Sequence, residues 1–349
     1  MKKIIGLLLI ASLSLTNCNN RQSSEYNELM KKEFEKLNNI LKRFEEPSQR
    51  FTESSENPSL ITGNHGTIIA INPKDLISET NEPLGKEIEI ELREVTTQNQ
   101  FLNANIQTVS NKRLLVSGGA YYINITSQGK QLKLQEGKSL KVEFPKLTDT
   151  EMFLFYGQRD SIGKMEWQQA KDTFKIAQAV TIKDAIVDTI VEFVNTPSED
   201  LVKTLTKGEK EKLKLESEIN EKVYSAIDIK SFGWINCDRF IEIQNKTNLL
   251  IDINPADNVC SENIFLVFKD INSVMQSHYF YYNGKTVNEG FKNVPVGYNV
   301  RLVAYSIKNE KVFSYTTDLT INENQTLKLD LKESSNEELK ELFRNEEKK

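Results

Sequence analysis

The strongest constraint on the fold is a strict alternation of apolar and polar residues that recurs along most of the chain. Its clearest example is KEIEIELREV at 86–95. Ile88, Ile90 and Leu92 point to one side of an extended strand there, and the intervening charged side chains point to the other. A helix would scatter the same residues around its circumference. The stretch is predicted to be a strand with one face in a core and one in solvent.

Similar short stretches follow one another with glycine-containing turns between them. In the first half they are 66–72, 86–95, 113–117, 120–126, 131–135, 139–145 and 152–157. In the second half they are 240–244, 249–254, 264–270, 279–283, 300–306, 312–321 and 326–332. Many short strands without intervening helices are typical of antiparallel sandwiches. The predicted fold class is mainly β, with two antiparallel β-sandwich domains at 61–175 and 231–332.

An amphipathic helix is predicted before the first sandwich. Its apolar residues are spaced by alternating steps of four and three, and they are Met30, Phe34, Leu37, Leu41 and Phe44. Two heptads are few for a coiled coil, so we favour a helix packed against the following domain and keep a coiled-coil seam as the alternative. Three further segments complete the chain: a linker at 45–60 after Pro47, a mixed or helical connector at 176–230, and a short C-terminal helix and tail at 333–349.

The first seventeen residues have the layout of a secretory signal peptide. Lys2 and Lys3 precede an apolar run at 4–13, and small and polar residues follow. The run is too short to span a bilayer as a permanent helix. The segment 1–17 is therefore predicted to direct export and to be removed.

The residues that end this leader, Leu15-Thr16-Asn17-Cys18, resemble the cleavage box of bacterial lipoproteins. Asn17 departs from the small residue usual at that place. The resemblance implies that Cys18 carries a diacylglyceryl group and begins the mature chain. The polar composition of residues 19–28 predicts a tether after it. The resemblance also implies a lipid anchor in the cell envelope, in the outer membrane and facing the periplasm, with surface exposure as the alternative. An ordinary signal peptide with an incidental cysteine is the other interpretation.

Charge and cysteine content narrow the possible roles. The formal net charge is −5, and removal of the leader takes away two lysines. A nucleic-acid-binding protein is usually basic, so no nucleic-acid partner is expected.

Apart from Cys18, the chain contains Cys237 and Cys260. In an oxidising compartment this pair favours a disulfide, and two unpaired thiols are the alternative.

The residues that catalysis would need are sparse. The chain has two histidines, His65 and His278, and neither has a second ligand at the spacing of a zinc site. Ser161 and Lys164 match the Ser-x-x-Lys pair of serine acylation, but a hairpin turn explains them better. We therefore expect no catalytic residue, no metal site and no cofactor, and the protein is predicted not to be an enzyme.

Two other clusters are candidate binding sites. Asp252, Asn254 and Asp257 could offer oxygen ligands to calcium, although an Asx-rich turn is the more common structure for such a stretch. The strand HYFYYN places Tyr279 and Tyr281 on one face and the rings between them on the other. An exposed ring face would suit a glycan or a protein partner, whereas buried rings would belong to the core.

Three stretches resemble known families. SQGKQLKLQEGKSLKVEFP (127–145) and FGWINCDRF (232–240) resemble uncharacterised lipoproteins of Gram-negative envelopes, in which a distantly ZU5-like β domain precedes a second β domain. GFKNVPVGYNVRLVAYS (290–306) is similar to the turn-and-strand signature of transthyretin-like and carboxypeptidase-regulatory sandwiches. Such modules are generally structural or adhesive. The resemblance implies a non-enzymatic structural, adhesion or assembly component with a protein or glycan partner. A carbohydrate- or peptidoglycan-binding module is the alternative.

Overall fold

The computed structural model of the protein describes residues 24–148, 150–173, 227–255 and 257–343. The described part of the first helix, α1, covers 24–41. A 3₁₀ turn covers Pro73–Asp75, α2 covers Gln98–Asn103 and α3 covers Asn336–Phe343. Within these ranges, no helix is both long and apolar enough to cross a bilayer.

Thirteen strands of the described residues form the first β unit. They are β1 Gln49–Ser54, β2 Ser59–Thr62, β3 Ile68–Ile71, β4 Leu76–Ser78, β5 Glu87–Val95, β6 Val109–Ser110, β7 Arg113–Ser127, β8 Lys130–Leu134, β9 Leu140–Glu143, β10 Phe153–Arg159, β11 Met165–Thr173, β12 Ile227–Ile229 and β13 Gly233–Phe240. The larger sheet has the order β1-β5-β7-β13-β10-β11, with β4, β6 and β8 attached at its margins. The smaller sheet has the order β12-β9-β3-β2. All of these pairs are antiparallel.

A core of aliphatic side chains lies between these two sheets. Ile88, Ile90 and Leu92 of β5 are at most 1% exposed and face Ile69 of β3 and Val142 of β9 within one cluster. The alternation in β5 therefore has the predicted consequence, because one row of side chains is buried in a sandwich core.

In the described part of the chain, nine strands form the second β unit. They are β14 Lys246–Asp252, β15 Val259–Phe268, β16 Val274–Tyr282, β17 Lys285–Asn288, β18 Phe291–Pro295, β19 Asn299–Lys308, β20 Lys311–Thr320, β21 Thr326–Lys328 and β22 Lys332–Glu333. Six of them form an antiparallel sheet in the order β17-β16-β15-β19-β20-β22, and β18-β14-β21 form the facing sheet. One pair, β14 with β21, is parallel. The mainly β fold class with antiparallel sandwiches is confirmed.

Strand pairing corrects two of the predicted boundaries. The stretch 45–60, predicted as a linker, contains β1, in which Phe51 pairs with Ile90 of β5. β13, predicted to open the second sandwich at 231, lies between β7 and β10 in the first. Alternation along a strand shows which face is buried, but it does not identify the neighbouring strand. Most of the connector predicted at 176–230 falls outside the described residues.

The two β units share a second core. It contains Phe101 and Trp167 from the first unit and Phe265, Phe280 and Tyr305 from the second. Backbone hydrogen bonds cross the same junction, for example from the amide of Thr108 to the carbonyl of Val274 at 2.7 Å. The six-stranded sheet is thus covered on both faces, by β14, β18 and β21 on one side and by the junction on the other.

Helix α1 fills part of this junction. Phe34, Leu37 and Leu41 are at most 1% exposed, while Lys31 and Glu35 on the opposite face are exposed. The predicted packing of the helix against β structure is confirmed, but the helix contacts the second unit as well as the first. Its apolar stripe is used inside its own chain, which argues against the coiled-coil alternative.

Candidate functional site

Cys18, the predicted lipidation residue, lies outside the described residues together with the whole leader at 1–17. Of the tether predicted at 19–28, residues 24–28 are described and belong to α1. Tyr26 in this first turn packs edge-on against Phe280, with ring centroids 5.2 Å apart. The packed body of the protein therefore begins within a few residues of Cys18.

The structure corrects the expected disulfide between Cys237 and Cys260. Both are free thiols. Cys237 is fully buried between the sheets of the first unit, and Cys260 packs at the margin of the core of the second. The cause is again the placement of β13, which puts the two cysteines in different units.

The two histidines have separate surroundings. His65 lies in an exposed turn and its backbone amide donates to Glu94 at 2.8 Å. His278 is 1% exposed, with Nε2 3.2 Å from the side-chain amide nitrogen of Gln276 and Nδ1 3.7 Å from Glu289. Burial lowers the pKa of His278, so the neutral imidazole is favoured at pH 7.

The remaining catalytic and metal candidates occupy turns. Asp160 accepts hydrogen bonds at 2.9 Å from the backbone amides of Ile162 and Lys164, which confirms the predicted hairpin turn around Ser161. In the proposed calcium loop, Asp252 lies 4.0 Å from Lys328, and Asp257 lies 2.9 Å from Lys308. These two carboxylates face different lysines. No group of three potential metal-ligating side chains occurs in the described part of the chain.

The rings of HYFYYN do not form an exposed binding face. Tyr279 and Tyr281 point into the core of the second unit, and Phe280 and Tyr282 point into the junction, as the alternation predicts. Tyr26 of α1 covers the second pair, at 5.2 Å from Phe280 and 6.2 Å from Tyr282. A glycan site on this strand is therefore not supported.

A different site is formed where α1 crosses the outer face of the larger sheet. We name it the helix–sheet groove, and its volume is about 860 Å³. One wall is α1, the floor is the sheet, and the other wall is the loop after α2 with the hairpin between β10 and β11. It is lined by Lys31, Glu35, Asn38, Asn39, Lys42, Glu45, Glu91, Arg93, Ala104, Asn105, Tyr122, Arg159, Asp160, Ser161, Ile162, Gly163 and Trp234.

Two aromatic rings form the floor of the helix–sheet groove. Tyr122 of β7 and Trp234 of β13 are directly paired across the strands, with ring centroids 5.4 Å apart. Both side chains are half-buried. The guanidinium of Arg159 lies over the indole of Trp234, 5.6 Å from its ring centroid. The rings thus lie on a face of the sheet that its own core does not use.

Hydrogen bonds to backbone carbonyls fix the wall opposite α1. Arg159 donates to the carbonyls of Ala104 and Asn105, both at 2.7 Å, and to that of Gly163 at 2.8 Å. All three acceptors are backbone carbonyls, so none of these partners neutralises the positive charge of the guanidinium. The hairpin and the loop after α2 are thereby held together.

Asparagine amides join this wall to α1 and to the second unit. The Asn38 amide donates to the carbonyl of Ile162 at 2.9 Å, and its oxygen accepts from Asn105 at 3.1 Å. The Asn105 oxygen in turn accepts from Gln276 of β16 at 2.7 Å. Gly163 has φ +86°, and a Cβ there would lie 2.4 Å from the Asn38 amide nitrogen, so any other residue would strain the backbone and displace Asn38.

The charges around the helix–sheet groove are balanced. Four cationic side chains, Lys31, Lys42, Arg93 and Arg159, stand against four acidic ones, Glu35, Glu45, Glu91 and Asp160. Arg93 is paired with Glu45 at 2.8 Å and with Glu91 at 3.8 Å. The groove therefore has no net charge that would select a strongly ionic ligand.

An ion pair lies beside the groove and connects the two units. Lys164 of the hairpin contacts Glu289 of the second unit at 2.6 Å, and Glu289 is also the neighbour of His278. Burial works against ionisation of Glu289, but His278 and Lys164 outweigh it and lower the pKa of Glu289 to about 2. Glu289 is therefore anionic at neutral pH.

The sequence contained one signal for this groove that the prediction did not use. In β13, Trp234, Asn236 and Asp238 alternate with Ile235 and Cys237. The aliphatic and thiol side chains enter the sandwich core, so the other row had to face a second environment. An aromatic residue in that row of an interior strand indicates a second packing or binding surface.

No family model, curated protein or solved structure matches this chain. The resemblances to envelope lipoproteins and to transthyretin-like sandwiches therefore stay predictions.

Proposed function

We propose that this protein is a lipid-anchored component of a bacterial cell envelope with a non-enzymatic structural, adhesion or assembly role. The anchor is the diacylglyceryl group expected on Cys18, which would make the membrane its first partner. Each buried methylene contributes about 0.8 kcal/mol, so two or more acyl chains give stable attachment.

The observation that carries the proposal is the position of α1. Residue 24 is six positions after Cys18, and an extended chain covers about 3.5 Å per residue. The anchor would therefore hold the start of α1 within about 20 Å of the bilayer surface. Since the apolar face of α1 packs against both β units, the anchor would hold the whole body and not a single domain.

The surroundings of the chemical candidates support a non-enzymatic role. His278 is buried, His65 is in an exposed turn, and Ser161 lies in a hairpin turn. General acid–base or nucleophilic catalysis needs such groups within hydrogen-bond reach of one another. A two-unit body with a shared core near a membrane suits a spacer or an assembly platform.

The anchor is tested by replacing Cys18 with Ser in cells. We expect the chain to leave the membrane fraction and to lose incorporation of labelled palmitate. Cys260→Ser is the matched control, because it removes a thiol that is distant in sequence from the leader. Membrane attachment and labelling that persist in Cys18→Ser would contradict the proposal. Crosslinking in cells with the wild-type chain would then identify the partners of the anchored body.

A further inference from the structure

We infer that the helix–sheet groove binds a short, uncharged oligosaccharide through the rings of Tyr122 and Trp234. The inference goes beyond the proposed anchoring and does not depend on it. A groove of about 860 Å³ is within the range of small-molecule sites.

The floor of the groove favours a ligand that is recognised by side chains. β7 is hydrogen-bonded to β5 and β13, and β13 to β7 and β10, so both strands are interior. An extended peptide is usually bound by pairing with a free sheet edge. The strands that carry Tyr122 and Trp234 have both edges occupied, which makes a peptide added as a strand unsuitable here.

The side chains in the groove match the two kinds of surface that a sugar presents. The C–H face of a pyranose ring is apolar and packs on an aromatic ring, as Trp234 and Tyr122 would allow. Sugar hydroxyls both donate and accept hydrogen bonds, and an asparagine amide also does both. Asn39 is exposed on the α1 wall, and Arg159 adds a donor above the indole.

Charge narrows the class of sugar. The four cationic and four acidic side chains of the lining give no net charge, and Arg93 is already paired with Glu45. An anionic polysaccharide would meet Glu35 and Asp160 as well as the cations. An uncharged or N-acetylated sugar would not be repelled by these side chains, so it is the class of ligand that fits the groove.

The groove is also organised before a ligand arrives. Asn38 of α1 donates to the Ile162 carbonyl at 2.9 Å and accepts from Asn105 at 3.1 Å, so hydrogen bonds join the two walls. A site whose walls are already ordered loses less conformational entropy on binding than a mobile one.

The test uses the full chain, solubilised in a detergent without a sugar headgroup, and the trisaccharides cellotriose, maltotriose and N,N′,N″-triacetylchitotriose at millimolar concentration. The chain has two tryptophans, and Trp167 is 1% exposed, so Trp234 provides the accessible fluorescence. We expect at least one trisaccharide to shift its emission to the blue and to protect it from acrylamide. A wild-type spectrum unchanged by all three sugars would overturn the inference.

Variants then locate the site by calorimetry with the sugar that binds. Trp234→Ala is expected to weaken binding about tenfold or more, and Asn39→Ala to weaken it less. Asn39 is exposed, so that variant keeps the test decisive if Trp234→Ala does not fold. Tyr315→Ala, on β20 of the second unit, is the control and should bind as the wild type does. Unchanged affinity in both groove variants, or binding of a trigalacturonate in preference to the neutral sugars, would refute the proposal.

Discussion

Phe34 of α1 meets His278 of β16 edge-on, with ring centroids 4.7 Å apart. The phenyl ring is fully buried and the imidazole nearly so. A helix from the start of the chain is thus packed on the middle strands of the second β unit. The contact makes α1 part of the core that joins the two units.

The first prediction concerns the stability of this joint. Phe34→Ala should lower the free energy of unfolding by about 3–5 kcal/mol, since it leaves a cavity in the shared core. Because both units contribute to that core, urea should unfold the variant in one transition at a lower midpoint. Circular dichroism and tryptophan fluorescence should report the same midpoint. Lys32→Ala, on the exposed face of α1, is the control and should unfold as the wild type does. A variant in which only part of the β signal is lost early would show that the units unfold independently.

The second prediction concerns the hairpin that borders the helix–sheet groove. Gly163→Ala places a Cβ 2.4 Å from the Asn38 amide nitrogen and forces alanine to φ +86°. Gly129→Ala is a matched control, because Gly129 has φ +73° and open space around it. A positive φ costs alanine about 1–2 kcal/mol at either position. We expect Gly163→Ala to lose more stability than Gly129→Ala in urea denaturation, and the difference to measure the contact with α1. Equal losses of stability in the two variants would mean that the Asn38 side chain moves away from the added methyl group without destabilising the protein.

The local sequence pattern was sufficient to predict the strands, but it was not sufficient to predict which strands are neighbours in a sheet. The alternation at 86–95 predicted a strand, and β5 covers Glu87–Val95 with the expected face in the core. The C-terminal helix was also predicted, and α3 covers Asn336–Phe343. In both cases the signal and its cause lie within a few residues of each other.

The groove depends on neighbours that are far apart in the chain. Asn38 and Ile162 are 124 positions apart and are joined by a hydrogen bond. β13 reaches its place beside β7 only after the chain has passed through residues 174–226. A single sequence records burial through its periodicity, but it does not record which strands are adjacent. The expected disulfide failed for this reason.

The third prediction concerns pH and a buried carboxyl group. Glu262 of β15 is 6% exposed, and its Oε2 has no hydrogen-bond partner within the described part of the chain. Burial raises the pKa of Glu262 to about 7. The unfolded chain releases this proton near pH 4.5, whereas the folded chain keeps it until about pH 7. The free energy of unfolding should therefore fall as the pH rises between these values, by about 3 kcal/mol, and stay lower above them.

Replacing this carboxyl group tests the sign of the effect. Glu262→Gln should stabilise the protein at pH 8 and have little effect at pH 4, because the amide resembles the protonated acid. Melting temperatures across this range would measure the slope. Glu89→Gln removes the same charge at an exposed strand position and should leave the slope as it is in the wild type. A slope that persists in Glu262→Gln would assign the pH dependence to another group.

The fourth prediction concerns the two thiols of the folded body. Cys237 is fully buried, and burial together with the neighbouring Asp238 raises the pKa of its thiol, so the reactive thiolate is scarce. Cys260 is half-buried, with its sulfur 3.5 Å from the Asp257 carbonyl. With a thiol reagent and peptide mapping, we expect Cys260 to be labelled in the native chain and Cys237 only after denaturation. Cys260→Ser should remove the early-labelled peptide. A Cys237–Cys260 crosslinked peptide in the non-reduced digest would contradict this, because those residues belong to different cores and their joining would require β13 to leave the first sheet.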